Sequence, residues 1–244
     1  MIIDSHNHLG GPDKGDGKSQ SADGILAVMD RAGIDRAVVF PFNEAEPGVS
    51  FSRPNEYIAR AVYRHPDRLT GFCRLDPNFG GQAVKELERC VKELGLSGIK
   101  LHPSSQGFAL DHPALHDILA AAQDLSVPIV FDTGKAMSPP SGIAALALKF
   151  PGLTFMMAHM NLYEESIAAA KAASNIYIQT TGYFNIKRLG NAFRELGADR
   201  FMAGSDSPYL RMERELEKVS SIDGLTKSER GSILGGNISK VLGL

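Results

Sequence analysis

Eight short apolar runs dominate the sequence: Met1–Ile3, Ala37–Phe40, Leu69–Arg74, Gly98–Leu101, Pro128–Phe131, Leu153–Ala158, Ile176–Thr180 and Phe201–Gly204. Apolar or β-branched residues fill successive positions instead of alternating, the pattern of strands covered on both faces of a parallel sheet. Stretches with helical spacing lie between them: Gly24–Ala32, Asn55–His65, Gln82–Leu94, Pro113–Leu125, Ile143–Phe150, Glu164–Ala173 and Ile186–Leu196. Ser21 and Asp23 are candidate caps for the first of these and Asp111 for the fourth, while Gly33, Gly95 and Gly197 stand where a left-handed C-terminal residue is wanted. Alternation of strand and helix predicts an α/β fold with a parallel sheet. Eight units of roughly 30 residues, with no second domain, favour a single closed (β/α)8 TIM barrel over an open doubly wound sheet. That barrel is expected to span the 244 residues as one domain.

Two segments stand outside the repeat. Gly10–Ser21, rich in glycine, reads as a loop after the first strand, long enough to fold over a site. The tail Ser228–Leu244 reads as a helix, a Gly-Gly-Asn break and a short final helix that closes the bottom or edge of the barrel.

Composition narrows the partners. With 43% hydrophobic and 22% charged residues and a formal net charge of −2, the chain has no excess of either sign to draw it to nucleic acid or an anionic membrane. Its start, MIIDSHNHLG, lacks a basic flank followed by an apolar run, and no stretch nears the ~18 apolar residues of a bilayer span, so a cytoplasmic location is expected. Cys73 and Cys90 read as small apolar fillers, not a disulfide. A homo-oligomer is compatible with the chain, although no specific interface is visible in it.

The chemistry gathers at strand ends. In His6-Asn7-His8 the two imidazoles lie two residues apart on a strand and share a face, so both can meet one ion. Their place after the first apolar run puts them at the rim where barrel active sites assemble. Other polar residues end strands as well: Lys100 and His102 after the fourth, Asp132 after the fifth, His159 after the sixth and Asp206 after the eighth. Such imidazole and carboxylate donors suit Zn2+ first, with Mn2+, Fe2+ or Co2+ as alternatives, as one ion or two.

Taken in order, IIDSHNHLG, GIKLHPSSQGF, PIVFDTG, FMMAHM, NIYIQTTG, RFMAGSDSPY and GGNISKVLGL resemble the amidohydrolase superfamily, in its aminocarboxymuconate-semialdehyde decarboxylase-like branch. The resemblance implies that His6 and His8 are metal ligands and that Asp206 is a ligand or the general base. It implies that His159 is a second-metal ligand or a proton-moving histidine. Lys100 occupies the place of a carboxylated bridging lysine in some members; the plainer reading pairs it with Asp132 or a substrate carboxylate. Asp132 stands where the family usually has histidine, and either binds metal through oxygen or salt-bridges Lys100. His102 precedes Pro103, which breaks pairing, and serves either as a substrate contact or as a loop-stabilising hydrogen bond. Arg74, Gln106, Lys135, Tyr209 and Arg211 are candidate rim contacts for an anionic substrate, while His65, His112 and His116 receive no chemistry.

The leading functional expectation is a metal-dependent hydrolase directing activated water at a small amide, ester or lactone. The alternatives are a metal-dependent decarboxylase or hydratase of a small carboxylate, a metal-independent lactonase, and a barrel that binds a ligand without catalysis. Short loops imply a compact pocket and hence a small-molecule substrate.

Overall fold

The computed structural model describes residues 1–244. Its strand segments are β1 Ile3–Leu9, β2 Arg36–Pro41, β3 Leu69–Gly71, β4 Cys73–Arg74, β5 Ile99–Leu101, β6 Ile129–Asp132, β7 Phe155–Ala158, β8 Ile176–Gln179 and β9 Phe201–Met202. Every paired neighbour is parallel, in the orders β1-β2-β3 and β4-β5-β6-β7-β8-β9. β3 and β4 are two halves of one barrel strand. Phe72 N–H donates back to Val39 O on β2 at 2.9 Å, whereas Cys73 N–H donates forward to Gly98 O at 2.9 Å. The ring closes where β1 meets the segment after β9: Ser5 N–H donates to Ala203 O (2.9 Å), Asp206 N–H to His6 O (2.8 Å) and His8 N–H to Ser207 O (2.8 Å). The architecture is a TIM barrel, as the strand–helix alternation predicts.

Side chains sort by strand parity. Ile3, Val38, Phe40, Phe72, Val130, Met156 and Met202 point inward and pack with Ile238 from the last helix, Asn237–Leu242, which plugs the bottom. Ala37, Val39, Cys73, Ile99, Phe131 and Phe155 face the surrounding helices in a larger cluster of 51 buried residues. Gly98 makes room for Phe72, since an added Cβ would sit 2.5 Å from its ring. Two residues beyond Phe72 and Val130 the inward face turns polar, with Arg74 and Asp132, and Lys100 on β5 and Gln179 on β8 join them. The apolar lower barrel thus supports a polar upper one.

Several local expectations are corrected. β1 extends to Leu9, so the His-Asn-His triplet lies within the strand. Ser21 alone caps the helix Ala22–Ala32, accepting from Gly24 N–H; Asp23 lies inside its first turn. The helix Pro113–Asp124 starts after His112 without a side-chain cap, so Asp111 has no such role. Gly33 and Gly95 are left-handed at φ 69° and 67°, whereas Gly197, at φ 88° and ψ 143°, is not. Helices at Pro103–Gln106 and Met212–Ser220 were not anticipated. Both cysteines are free and buried. No helix is long and apolar enough to cross a membrane.

Candidate metal centre and active-site cavity

A bulge in β1 aims the histidines. Asp4 pairs with Ala37 and Asn7 with Val39, so β1 carries one residue more than β2 across this interval. The backbone there is held from the opposite side. Asn7 donates to Val38 O (3.1 Å) and accepts from Ser205 Oγ (3.1 Å), while Asp4 Oδ1 accepts from the N–H groups of His6 (3.1 Å) and Ser205 (3.0 Å). Gly204 is required for this approach, because an added Cβ would lie 2.8 Å from both His6 Cβ and Thr181 Oγ1. Asp206 takes a left-handed backbone, φ 66°, which turns its carboxylate back toward β1. Its Oδ1 lies 3.5 Å from His6 Nε2 and 3.3 Å from His8 Nε2.

The hydrogen bonds decide which ring nitrogens face inward. His6 Nδ1–H donates to Gln179 Oε1 (2.7 Å), and Gln179 Nε2 is committed to Ser5 O (2.8 Å), which settles the amide's orientation. His8 Nδ1–H donates to Pro41 O (3.3 Å). Each imidazole therefore turns an unprotonated Nε2 toward Asp206, and burial keeps both histidines below their usual pKa and so neutral. The ligand atoms of His6, His8 and Asp206 all lie within 4.8 Å of one another. Two oriented neutral imidazoles and a carboxylate form a donor set that fits a divalent ion.

A second cluster abuts the first, with the His6 and His159 ring centroids 5.5 Å apart. Its hub is Asp132, whose oxygens lie 3.0 Å from Lys135 Nζ, 3.2 Å from His102 Nε2 and 3.4 Å from His159 Nε2. Burial alone would raise the Asp132 pKa, but the His159 hydrogen bond and the charge of Lys100 outweigh it and hold the carboxyl well below its usual range. His102 Nδ1 accepts from Ser105 N–H (3.2 Å), so its Nε2–H donates to Asp132; burial lowers its pKa to about 3. His159 Nδ1 faces Thr181 O at 3.2 Å. Each His159 ring nitrogen thus has an acceptor, which gives a proton at Nε2 a resting place against Asp132.

The structure brings His6, His8 and Asp206 together and leaves Asp132 outside that set. Lys100 Nζ sits 3.3 Å from His6 Nε2, with its pKa lowered to about 8 by burial. The ion pair expected between Lys100 and Asp132 is made by Lys135 instead, because Lys135, three residues on, reaches the carboxylate from the rim.

Above both clusters opens a cavity of ≈ 460 Å³ lined by 14 residues, of which one is hydrophobic. His8, Arg74, His102, Asp132, Lys135, His159, Asp206 and Tyr209 all line it, and Asp13, Lys14 and Gly15 come from the Gly10–Ser21 loop. Gln106 does not: its amide accepts from His102 N–H and donates to Leu75 O, bracing two strand ends. Arg211 pairs with Glu213 at 3.6 Å on the exposed surface. Sequence reasoning missed Gln179, Asn43, Ser105 and Asn161. Only Gln179 carried a signal, as the polar residue ending an apolar strand.

The family model described as amidohydrolase matches residues 3–244. This chain belongs to the amidohydrolase family. Within it, the gamma-resorcylate decarboxylase of Polaromonas sp. (strain JS666 / ATCC BAA-500) is 24% identical over 282 aligned positions, covering 90% of this amidohydrolase and 86% of that protein. Among solved structures, 2,6-dihydroxybenzoate decarboxylase in complex with 2,6-dihydroxybenzoate has a TM-score of 0.80 at 19% identity, over 100% of this chain and 99% of that one. The dihydroxybenzoic acid decarboxylase of Polaromonas sp. JS666, with bound manganese and the inhibitor 2-nitroresorcinol, has a TM-score of 0.76 at 20% identity, over 100% and 97% of the two chains. These relatives overturn the leading expectation of hydrolysis, since they break a carbon–carbon bond. The ligand motifs serve both reactions and do not separate them. Zinc, placed first from the ligand types, is likewise not the ion found in this neighbour; the supported statement is a divalent metal.

Proposed function

We propose that this amidohydrolase is a divalent-metal-dependent decarboxylase of a small carboxylate, working with Mn2+. The observation that carries the reading is the abutment of the His6–His8–Asp206 centre and the Asp132–His159 pair beneath one polar cavity. Its support from relatives is the run of decarboxylases among them, one with manganese.

His6, His8 and Asp206 would hold the ion, which when bound would supply the positive charge that stabilises electron density developing on the substrate. Arg74 and Lys135 orient the anion at the wall and rim of the cavity. The bond from carbon to carboxylate breaks, its electron pair stays on that carbon, CO2 leaves, and one proton from the protein replaces it. His159 delivers that proton from Nε2, where Asp132 holds it, and recovers another from solvent at the cavity mouth. With only one hydrophobic residue among the 14 that line it, the cavity favours a substrate with hydroxyl or further polar groups over a bare hydrocarbon ring.

The test is to incubate Mn2+-loaded protein in D2O with 2,6-dihydroxybenzoate and a panel of unsaturated and hydroxylated carboxylates, following CO2 and deuterium together. One deuterium per CO2, at the carbon that lost it, is expected. The His6→Ala/His8→Ala double variant should lose both Mn2+ and turnover. Cleavage of esters or lactones with no CO2 from any carboxylate would sink the proposal.

A further inference from the structure

Gln20 stands near the end of the Gly10–Ser21 loop and is 9% exposed, whereas the residues just before it, Lys14 to Ser19, are all exposed. Its backbone pairs both ways with the start of the loop: Gly10 N–H donates to Gln20 O (2.9 Å) and Gln20 N–H to Gly10 O (3.0 Å). The loop is therefore cinched at its base, beside the end of β1, and the direction of the Gln20 side chain is set there.

That side chain bridges the two segments that carry the ligand atoms. Its Nε2 donates to His8 O at 2.7 Å, which settles the amide's orientation because a carbonyl only accepts. Its Oε1 therefore accepts from Ser207 Oγ–H at 3.0 Å. Ser207 N–H donates to Ser205 Oγ (3.2 Å), Ser205 Oγ–H to Asn7 Oδ1 (3.1 Å) and Asn7 Nδ2 to Val38 O (3.1 Å). Hydrogen bonds thus run without a break from the loop to β2, through the residues on either side of Asp206 and the residue between His6 and His8. Asn7, Ser205 and Ser207 are at most 2% exposed, so cutting a link leaves a buried polar group unpaired. Among the linked side chains, Gln20 alone comes from outside β1 and the segment after β9.

We infer that Gln20 is a positioning residue for the metal centre, clasping the backbone of His8 to the segment that carries Asp206 so that the two ligands converge on one ion. This rests on the metal-dependent reading above. His8 Nε2 and Asp206 Oδ1, 3.3 Å apart, belong to opposite sides of the seam, and their spacing follows the backbones that the clasp joins. Partners that orient metal ligands are worth about 10- to 100-fold in metal affinity, and a clasp that acts through the backbone belongs at the lower end.

The experiment measures Mn2+ affinity by chelator competition, together with the electron paramagnetic resonance spectrum of the bound ion and the melting temperature, in wild type, Gln20→Leu, Ser207→Ala and Lys18→Met. Gln20→Leu removes both bonds, while Ser207→Ala cuts the same clasp at its other end with a smaller change of side chain. Each is expected to bind Mn2+ about tenfold more weakly, with a changed zero-field splitting. Lys18→Met removes the loop's contact with the Tyr209 ring, 4.4 Å from Nζ to centroid, and its exposed pair with Asp16; affinity and spectrum should stay at their wild-type values. A lowered melting temperature with wild-type Mn2+ affinity and spectrum in the clasp variants would make Gln20 a structural residue only and overturn the inference. An equal loss of affinity in Lys18→Met would overturn it too, by assigning the effect to the loop as a whole. Absence of Mn2+ binding in wild type would instead bring down the metal-dependent reading itself.

Discussion

Gln179 governs how His6 presents itself. With its own nitrogen spent on Ser5 O, the amide must offer oxygen to His6 Nδ1, which leaves Nε2 for the ion. Replacing Gln179 by Leu removes that acceptor, and Mn2+ affinity should fall about 10- to 100-fold, the usual effect of losing a ligand's orienting partner. Chelator competition measures this; unchanged affinity would mean that packing against Phe40 alone holds the ring, whose centroids are 4.8 Å apart. At this scale His6, His8 and Asp206 were readable because strand parity and strand-end position are local properties. Gln106 was misplaced and Gln179 overlooked because an amide's direction depends on partners across the barrel, here Leu75 and Ser5.

Helix Met212–Ser220 shows why an element can escape a reading based on apolar spacing. Two of its buried positions are Glu215 and Lys218, each 3% exposed, where such a reading looks for Leu or Val. The pair satisfies itself and the strand end beside it: Lys218 donates to Thr180 O (2.7 Å) and Glu215 bonds Thr180 Oγ1. It thereby fixes the turn that carries Thr181, whose carbonyl faces His159. Lys218→Met strands a buried carboxylate and should destabilise the protein by about 3–5 kcal/mol, whereas Glu215→Gln/Lys218→Met should recover much of that loss. Urea unfolding of wild type, single and double variants checks the prediction; an equal loss in both variants would assign the stability to packing of the Lys218 stem. The strands, by contrast, were legible from their apolar runs, with small errors at several ends and the largest at the rim, where β1 continues through polar residues to Leu9.

For the whole molecule, the proposed metal centre spans the seam that closes the barrel. His6 and His8 belong to the first strand and Asp206 to the segment after the last, so an ion held by all three ties the chain's two ends together. Mn2+ at about a hundred times its dissociation constant should stabilise the fold by about 2.7 kcal/mol, a rise of about 5–10 °C in Tm for a domain of this size. Thermal melts of wild type and the His6→Ala/His8→Ala variant, with and without Mn2+, test it. A rise that persists in the double variant would place the stabilising ion elsewhere.

The sequence by itself determined the parallel barrel and singled out His6 and His8 as a pair on one strand face, because strand–helix alternation and strand parity are written in neighbouring residues. Its motifs also carried the family. Only the tertiary structure decided that Asp132 joins His102, Lys135 and His159 and lies apart from the converging His6, His8 and Asp206, that Arg74 is buried without a carboxylate beside it, and that one hydrophobic residue alone is among the 14 lining the cavity. Those outcomes depend on ring closure, which brings residues from opposite ends of the chain within hydrogen-bonding distance, and no local pattern records which of them will meet.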